Sequence, residues 1–424
     1  MKILWIISFP LPEVSHLAGV EKNAFGGWVG TMLHRLAKVE GFSFYVAMKS
    51  PVDKIIYEEI NGIHYYLIPQ SKEDRFDVYQ NDCEEILQRV LPDILHSEGT
   101  EGAFTQRFFK TWRGKNSVSL QGILNGYEPY EYGNLPVADM LFSFHFREML
   151  IAMVLMSNKF LFFKKRMKKE RETISLANNI IGRTTWDRSH AYAINPRATY
   201  HHCHHILRDT FYKTVWSVEE KEEHSIFVGN AAVPRKGAHF LLYAVAQLKE
   251  EFPNIRLYIA GEKPKKRHKW DWKRVVGYTA YINYLIDKLE IEKHIHFTGV
   301  LQAEELAERM VKCHLFVLPS VIENSPTTLS EAMIMGVPSI SSFVGGVQDM
   351  AVDGEEVLFY RDNDPAMLAY QIKRLFDDDV LAKKLSVNAR KRALHDHDPQ
   401  MNVDRMVHIY SGIIQDEKTI IEGK

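Results

Sequence analysis

Pro319-Ser320-Val321-Ile322-Glu323-Asn324-Ser325-Pro326-Thr327-Thr328-Leu329-Ser330-Glu331-Ala332-Met333 marks a change of pattern in the chain. Ahead of it, the apolar run from His314 to Leu318 reads as a buried strand. Behind it a helix opens. Ser325 is a natural N-cap, and Pro326 suits the first helical position, where its missing N–H costs nothing. Gly336 and Pro338 close the helix. A strand, a short loop and a fresh helix N-terminus make an anion site. Free N–H groups near Thr327, Thr328 and Leu329 and the positive end of the dipole point at the ligand. Glu323 precedes the helix, and Glu331 stands inside it, eight positions later. Two carboxylates around such a site would repel a bare phosphate. They suit a ligand with hydroxyls on both sides of its phosphates, which is the layout of a nucleotide-sugar. The plain alternative is a capped surface helix with two solvated glutamates.

The chain has 424 residues, which predicts two or three domains. It is 46% hydrophobic and 25% charged, the values of an ordinary globular protein. A formal net charge of -1 gives no push toward nucleic acid. Cys83, Cys203 and Cys313 are far apart, form no framework and fit a reducing cytoplasm. The opening run from Met1 to Ser8 is too short for a signal peptide or a membrane span, and reads as a first buried strand.

The first half alternates strands and helices. Strands are expected at Lys2 to Ser8, Phe42 to Met48, Ile63 to Ile68, Asp93 to His96, Ser117 to Gln121 and Asn179 to Gly182. The second half repeats the style, with strands at Ser225 to Val228, Arg256 to Ala260, His294 to Phe297, Leu315 to Leu318 and Pro338 to Ser341. Alternation of this kind predicts mostly parallel sheets with helices on both faces. The expected domains are residues 1–205, residues 206–398, and a tail helix in 399–424 packing back on the first domain. Two such sheets facing each other would leave a ligand cleft.

A second constellation is Val228-Gly229-Asn230-Ala231-Ala232-Val233-Pro234-Arg235-Lys236-Gly237-Ala238. Cations there could sit on a diphosphate leaving group. The alternative is a basic helix start, although cations are unfavourable at that end without an anion. A third is Phe25-Gly26-Gly27-Trp28, whose glycines would let backbone approach a ligand, or simply make a turn.

These features occur in an order that resembles the family-4 retaining, nucleotide-sugar-dependent glycosyltransferases of the GT-B fold. The resemblance also uses Phe297-Thr298-Gly299-Val300-Leu301, Gly345-Gly346-Val347 and Asp353-Gly354, and it is specific from about Glu223 to Phe359. It implies two Rossmann-like domains. The second would bind a UDP- or GDP-sugar and the first a saccharide or lipid-linked acceptor, with no metal or other cofactor. It implies that Glu331 holds ribose hydroxyls, Glu323 touches the donor sugar as the catalytic glutamate, and Lys236 holds the diphosphate. Val300 and Leu301 would flank the base, and Gly26 and Gly27 would line the phosphates. Asn230 stands where the family usually has arginine, and Arg235 is the candidate substitute. Gln121 stands where many members have histidine, so its implied role is positioning and not proton transfer. The rival readings are a phosphorylase or epimerase of the same fold, or a nucleotide-sugar-binding protein without transferase activity.

Two further runs invite functional readings. His201-His202-Cys203-His204-His205 suggests zinc, but neighbours on an extended segment point to opposite sides, so a hinge is the better reading. The apolar stretch Phe142 to Phe163, followed by Lys164, Lys165, Arg166, Lys168 and Lys169, is either a core helix or a peripheral seat on anionic membrane. The basic run from Lys263 to Arg274, with Trp270 and Trp272, reads as an exposed insertion.

Overall fold

The computed structural model describes residues 1–20, 27–74, 76–135, 146–229, 232–263 and 278–415, with backbone only for 146–160. The chain divides into two units. One comprises Met1–Gly126, Phe162–Leu207 and His397 onward; the other comprises Tyr127–Leu161 and Arg208–Asp396.

The first unit is built on an eight-stranded sheet. Its strands are β1 (Lys2–Ile7), β2 (Ser43–Ser50), β3 (Ile56–Ile60), β4 (Ile63–Pro69), β5 (Ile94–Glu98), β6 (Lys115–Ser119), β7 (Asn179–Gly182) and β8 (Thr199–His202). They run in the order β3-β4-β2-β1-β5-β6-β7-β8. All pairings are parallel except β3 with β4. β1 lies at the centre and is buried on both faces, so it reads as a continuous apolar run. Ile3, Trp5 and Ile7 enter one core, and Leu4 and Ile6 the other. The 3.6-residue spacing of Val403, Met406, Tyr410 and Ile413 puts one face of the Pro399–Gln415 helix into the first of these cores.

The second unit carries β9 (Glu222–Val228), β10 (Arg256–Ile259), β11 (Ile295–Phe297), β12 (Cys313–Leu318), β13 (Ser339–Ser342) and β14 (Leu358–Tyr360). The order is β11-β10-β9-β12-β13-β14, parallel throughout. In chain order this is the doubly wound 3-2-1-4-5-6 pattern. Its reversal lies between β9 and β12, and the open crevice of such a sheet lies beyond the carboxyl ends of those strands.

Three strands were not expected. β3 presents Tyr57, Glu58 and Glu59 to solvent and shows no apolar alternation. β8 falls in the stretch read as a hinge; its half-exposed edge position needs no apolar pattern. β14 is three residues long. The Thr327–Met335 helix also starts later than expected. Pro326, not Ser325, holds the N-cap, because its ψ of 113° is extended. No side chain caps that end. Gly336 closes the helix as expected, at φ 74°.

Trp5 Nε1 donates to Tyr410 Oη at 3.0 Å inside the first unit's core. Tyr410→Phe keeps the ring and strands the indole N–H. It should lower stability by about 1–3 kcal/mol in urea unfolding; an unchanged midpoint would mean that the bond contributes nothing.

Candidate functional site

The carboxyl ends of β9 and β12 meet the head of the Thr327–Met335 helix. A Cβ placed on Gly229, the residue after β9, would stand 3.7 Å from Thr328 Cγ2. Pro326 O accepts from Leu329 N at 3.0 Å and from Ser330 N at 3.3 Å. The amides of Thr327 and Thr328 therefore remain as the donors without an acceptor among the described residues. No acidic side chain stands in the first turn, so nothing there offsets the positive end of the dipole. Leu329, expected among the free donors, is corrected: its N–H belongs to Pro326.

The loop after β9 closes on the end of β12. Gly237 adopts φ +67°, and a Cβ there would lie 1.8 Å from Pro319 O, so no side chain fits. Val321 N donates to Arg235 O at 2.9 Å, fastening the two loops backbone to backbone. This fastening sets Lys236 Nζ 2.6 Å from Glu323 Oε1. Ser320 Oγ donates to the same oxygen at 2.7 Å. Behind Glu323, Gly346 N donates to its carbonyl at 3.0 Å. Gly345, at φ +52°, passes so close that a Cβ would meet that carbonyl at 2.0 Å. Glu323 is 7% exposed and is held by charge, hydroxyl and backbone together.

Arg235 points elsewhere. Its guanidinium lies over the Tyr127 ring at 5.3 Å and 3.5 Å from Glu131 Oε2. Glu331 sits deeper, 4% exposed, with Arg208 Nη2 3.1 Å from Oε1. Burial pushes its carboxyl from 4.5 up to about 7, against the opposing pull of Arg208. Val300 and Leu301 follow β11, two strands out from β9, and Val300 is exposed.

The structure thus brings Lys236, Glu323 and the amides of Thr327 and Thr328 to the switch point of one sheet. Ser325 precedes the helix and bonds nothing among the described residues. Gly27 begins the Gly27–Leu36 helix of the first unit. Gln121 is also in the first unit, two residues past β6, where its Nε2 donates to Glu98 Oε2 at 2.7 Å. Gly26 and Asn230 lie outside the described residues, as do 264–274 of the second basic run.

Sequence reasoning missed Arg208, Ser320, Tyr127 and Glu131. Ser320 adjoins β12 and was legible as a neighbour. Arg208 is 123 positions from Glu331, and no local pattern could have joined them. In the histidine run, His201 Nε2 bonds Asn179 Oδ1 at 2.9 Å and His202 Nε2 bonds Arg183 O at 3.1 Å, so the two rings are turned to different partners. In the basic cluster, Lys169 pairs with Asp77 at 2.7 Å, and Arg166 donates to Glu101 O at 2.9 Å. No helix of the described residues is long and apolar enough to cross a membrane.

Residues 209–392 match the family model described as glycosyl transferases group 1. The matched stretch lies within the second unit. Among curated proteins, the putative glycosyltransferase YtcC of Bacillus subtilis is 29% identical over 185 residues, 42% of each chain. The D-inositol 3-phosphate glycosyltransferase of Corynebacterium efficiens is 29% identical over 169 residues, covering 39% of this chain and 38% of that one. The matches thus span about two fifths of those relatives. Among solved structures, sucrose-phosphate synthase from Thermosynechococcus elongatus superposes with a TM-score of 0.73 at 15% identity, covering 97% of this chain and 99% of that one. Anabaena HepE in complex with UDP gives 0.66 at 14% identity, covering 97% and 100%. At such identities the likeness establishes the fold, and that fold is GT-B.

Glu331 carries a pH signature. Its carboxyl titrates at about 7 when folded and at 4.5 when exposed. The folded state holds this proton more tightly. The group's contribution to stability is therefore full below about pH 4.5 and is lost as pH rises through about 7. Glu331→Gln should flatten that decline by on the order of 2 kcal/mol between about pH 5 and about pH 8 in urea unfolding. A wild-type slope in the variant would show that another group titrates.

Proposed function

We propose that the protein moves a sugar from a UDP- or GDP-sugar to a hydroxyl on a saccharide or lipid-linked acceptor, with retention at the anomeric carbon. The observation that carries this reading is the Lys236–Glu323 pair beside two unbonded amides at a helix head. The amides of Thr327 and Thr328 suit a terminal phosphate oxygen. Lys236 is placed to leave Glu323 for the diphosphate as the bond to the sugar breaks and negative charge grows. Glu323, released, accepts hydroxyls of the donor sugar, and Glu331 accepts those of the ribose. Arg208 keeps Glu331 able to ionise despite its burial. On this reading protein cations and amides hold the diphosphate, and transfer continues in EDTA.

The names of the relatives support a transferase, and HepE has been solved with UDP and with UDP-glucose. In the same reading the protein works at the cytoplasmic face, in the assembly of cell-surface polysaccharide or glycolipid. Lys164, Lys165 and Lys168, beside exposed Phe162, form its seat on anionic lipid, with each cation adding about 1 kcal/mol.

Calorimetry with UDP and GDP, and turnover with their sugars, test this proposal. Glu323→Gln should lower turnover by about 100-fold or more with little change in nucleotide affinity. Glu331→Ala should weaken nucleotide binding by about tenfold. Wild-type behaviour in both variants overturns the assignment. Nucleotide binding with no transfer to any acceptor favours a binding protein.

A further inference from the structure

Within the first unit, beyond the carboxyl ends of β5 to β8, a small cavity is lined by Trp28, Glu98, Ser119, Arg183, Cys203 and His205, among others. Three of the lining residues each bury a polar atom that has no hydrogen-bond partner among the described residues: Trp28 Nε1, Arg183 Nε and His205 Nε2. Unpaired buried donors are costly, and three on one cavity is a specific arrangement. Trp28 and His205 stack at 5.1 Å with their planes 21° apart.

Arg183 is the telling member. It is 4% exposed, directly after β7. Its Nη2 donates to Leu120 O, a neutral acceptor. Asp187 Oδ2 accepts from its backbone N–H at 2.9 Å, but among the described residues its guanidinium forms no ion pair. Buried arginines are nearly always paired with an opposite charge. Glu98 also lines the cavity, but both its oxygens are taken: Oε1 by His96 Nε2 at 3.1 Å and Oε2 by Gln121 Nε2 at 2.7 Å. His205 is kept neutral by burial and by the nearby arginine, so its Nε2 carries a hydrogen in one tautomer and completes a set of three donors. The space open to the centre of a water-sized sphere is about 10 Å³, close to the least that holds one oxygen-sized guest.

We propose that this cavity is an oxyanion seat for one terminal oxygen of a carboxylate or phosphoryl group, held by Trp28, Arg183 and His205. Three N–H donors, one of them on a guanidinium with no ion-pair partner among the described residues, favour an anionic oxygen over a neutral hydroxyl. A sugar acid or a phosphate ester presents such an oxygen. The transferase reading enters only in naming the acceptor as the molecule that carries it.

The test uses the full chain, with D-glucuronate, inorganic phosphate and D-glucose as probes in calorimetry. Glucuronate or phosphate should bind and glucose should not, and the stronger of the two anions tells a carboxylate seat from a phosphoryl seat. Trp28→Phe keeps the stacked ring and deletes one donor, and should weaken anion binding by about tenfold. Arg183→Met should abolish it. If Arg183→Met does not fold, Trp28→Phe still decides. UDP binding is measured in the same samples and should be unchanged in both variants, so failure of the donor reading is seen separately. Anions that bind no better than glucose, binding indifferent to Trp28→Phe, or crystals soaked in glucuronate or phosphate that show only water between the three nitrogens would each overturn the seat.

Discussion

The second unit's site depends on one close approach. Gly237 lies with its backbone against Pro319 O, and any side chain at that position would force the loop away from the end of β12. The contact is local, but its consequence is chemical. It fixes the offset between two loops that each contribute one charge, and Val321 N to Arg235 O locks that offset. Lys236 and Glu323 meet at 2.6 Å because the backbones beneath them meet. On the far side, Gly345 repeats the device against Glu323 O. Glu323 is thus fixed by the Gly345 contact at its own carbonyl and by the loop offset that the Gly237 contact sets.

The acidic groups there are each partnered within the chain. Glu323 is satisfied by Lys236 and Ser320, and Glu331 by Arg208. The two solutions differ in depth. Lys236 remains a quarter exposed, whereas Glu331 sits deep enough that burial dominates Arg208's attraction. One carboxylate is therefore paired near the surface, and the other is close to the balance point between its charged and neutral forms. A polyol that donates hydrogen bonds to Glu331 would favour the charged form.

Much of this was legible in the chain, for reasons of pattern. β9, β10 and β12 end in short apolar runs, and buried parallel strands leave that mark. The eight-residue interval between Glu323 and Glu331 and the Arg235-Lys236-Gly237 triplet survive as local signals, because each group acts from a single loop or helix. The rest was hidden for an equally physical reason. Arg208 reaches Glu331 across 123 positions, and Arg183 comes to rest beside Trp28 and His205 only after three separate segments have folded. The head of the Thr327–Met335 helix was misjudged by one residue. Proline is compatible with both the N-cap and the first helical turn, and only its ψ distinguishes them.

The Tyr127–Leu135 segment shows how far a site's support can lie from its motif. In sequence it follows elements of the first unit, yet it belongs with the second. Gly133, at φ +66°, packs so tightly on Pro234 that a Cβ would meet its carbonyl at 2.3 Å. His239 Nε2 holds Gly133 O at 3.1 Å, and its Nδ1 is bonded to Tyr278 Oη at 2.8 Å. Burial lowers the pKa of this histidine to about 4, so it serves as a neutral clasp across the neutral pH range. Tyr127 and Glu131 then reach Arg235 from the same segment. Arg235 is thereby drawn toward an aromatic face and a carboxylate while Lys236, one position on, faces Glu323. A single basic pair is divided between two sets of partners: Arg235 meets Tyr127 and Glu131, and Lys236 meets Glu323.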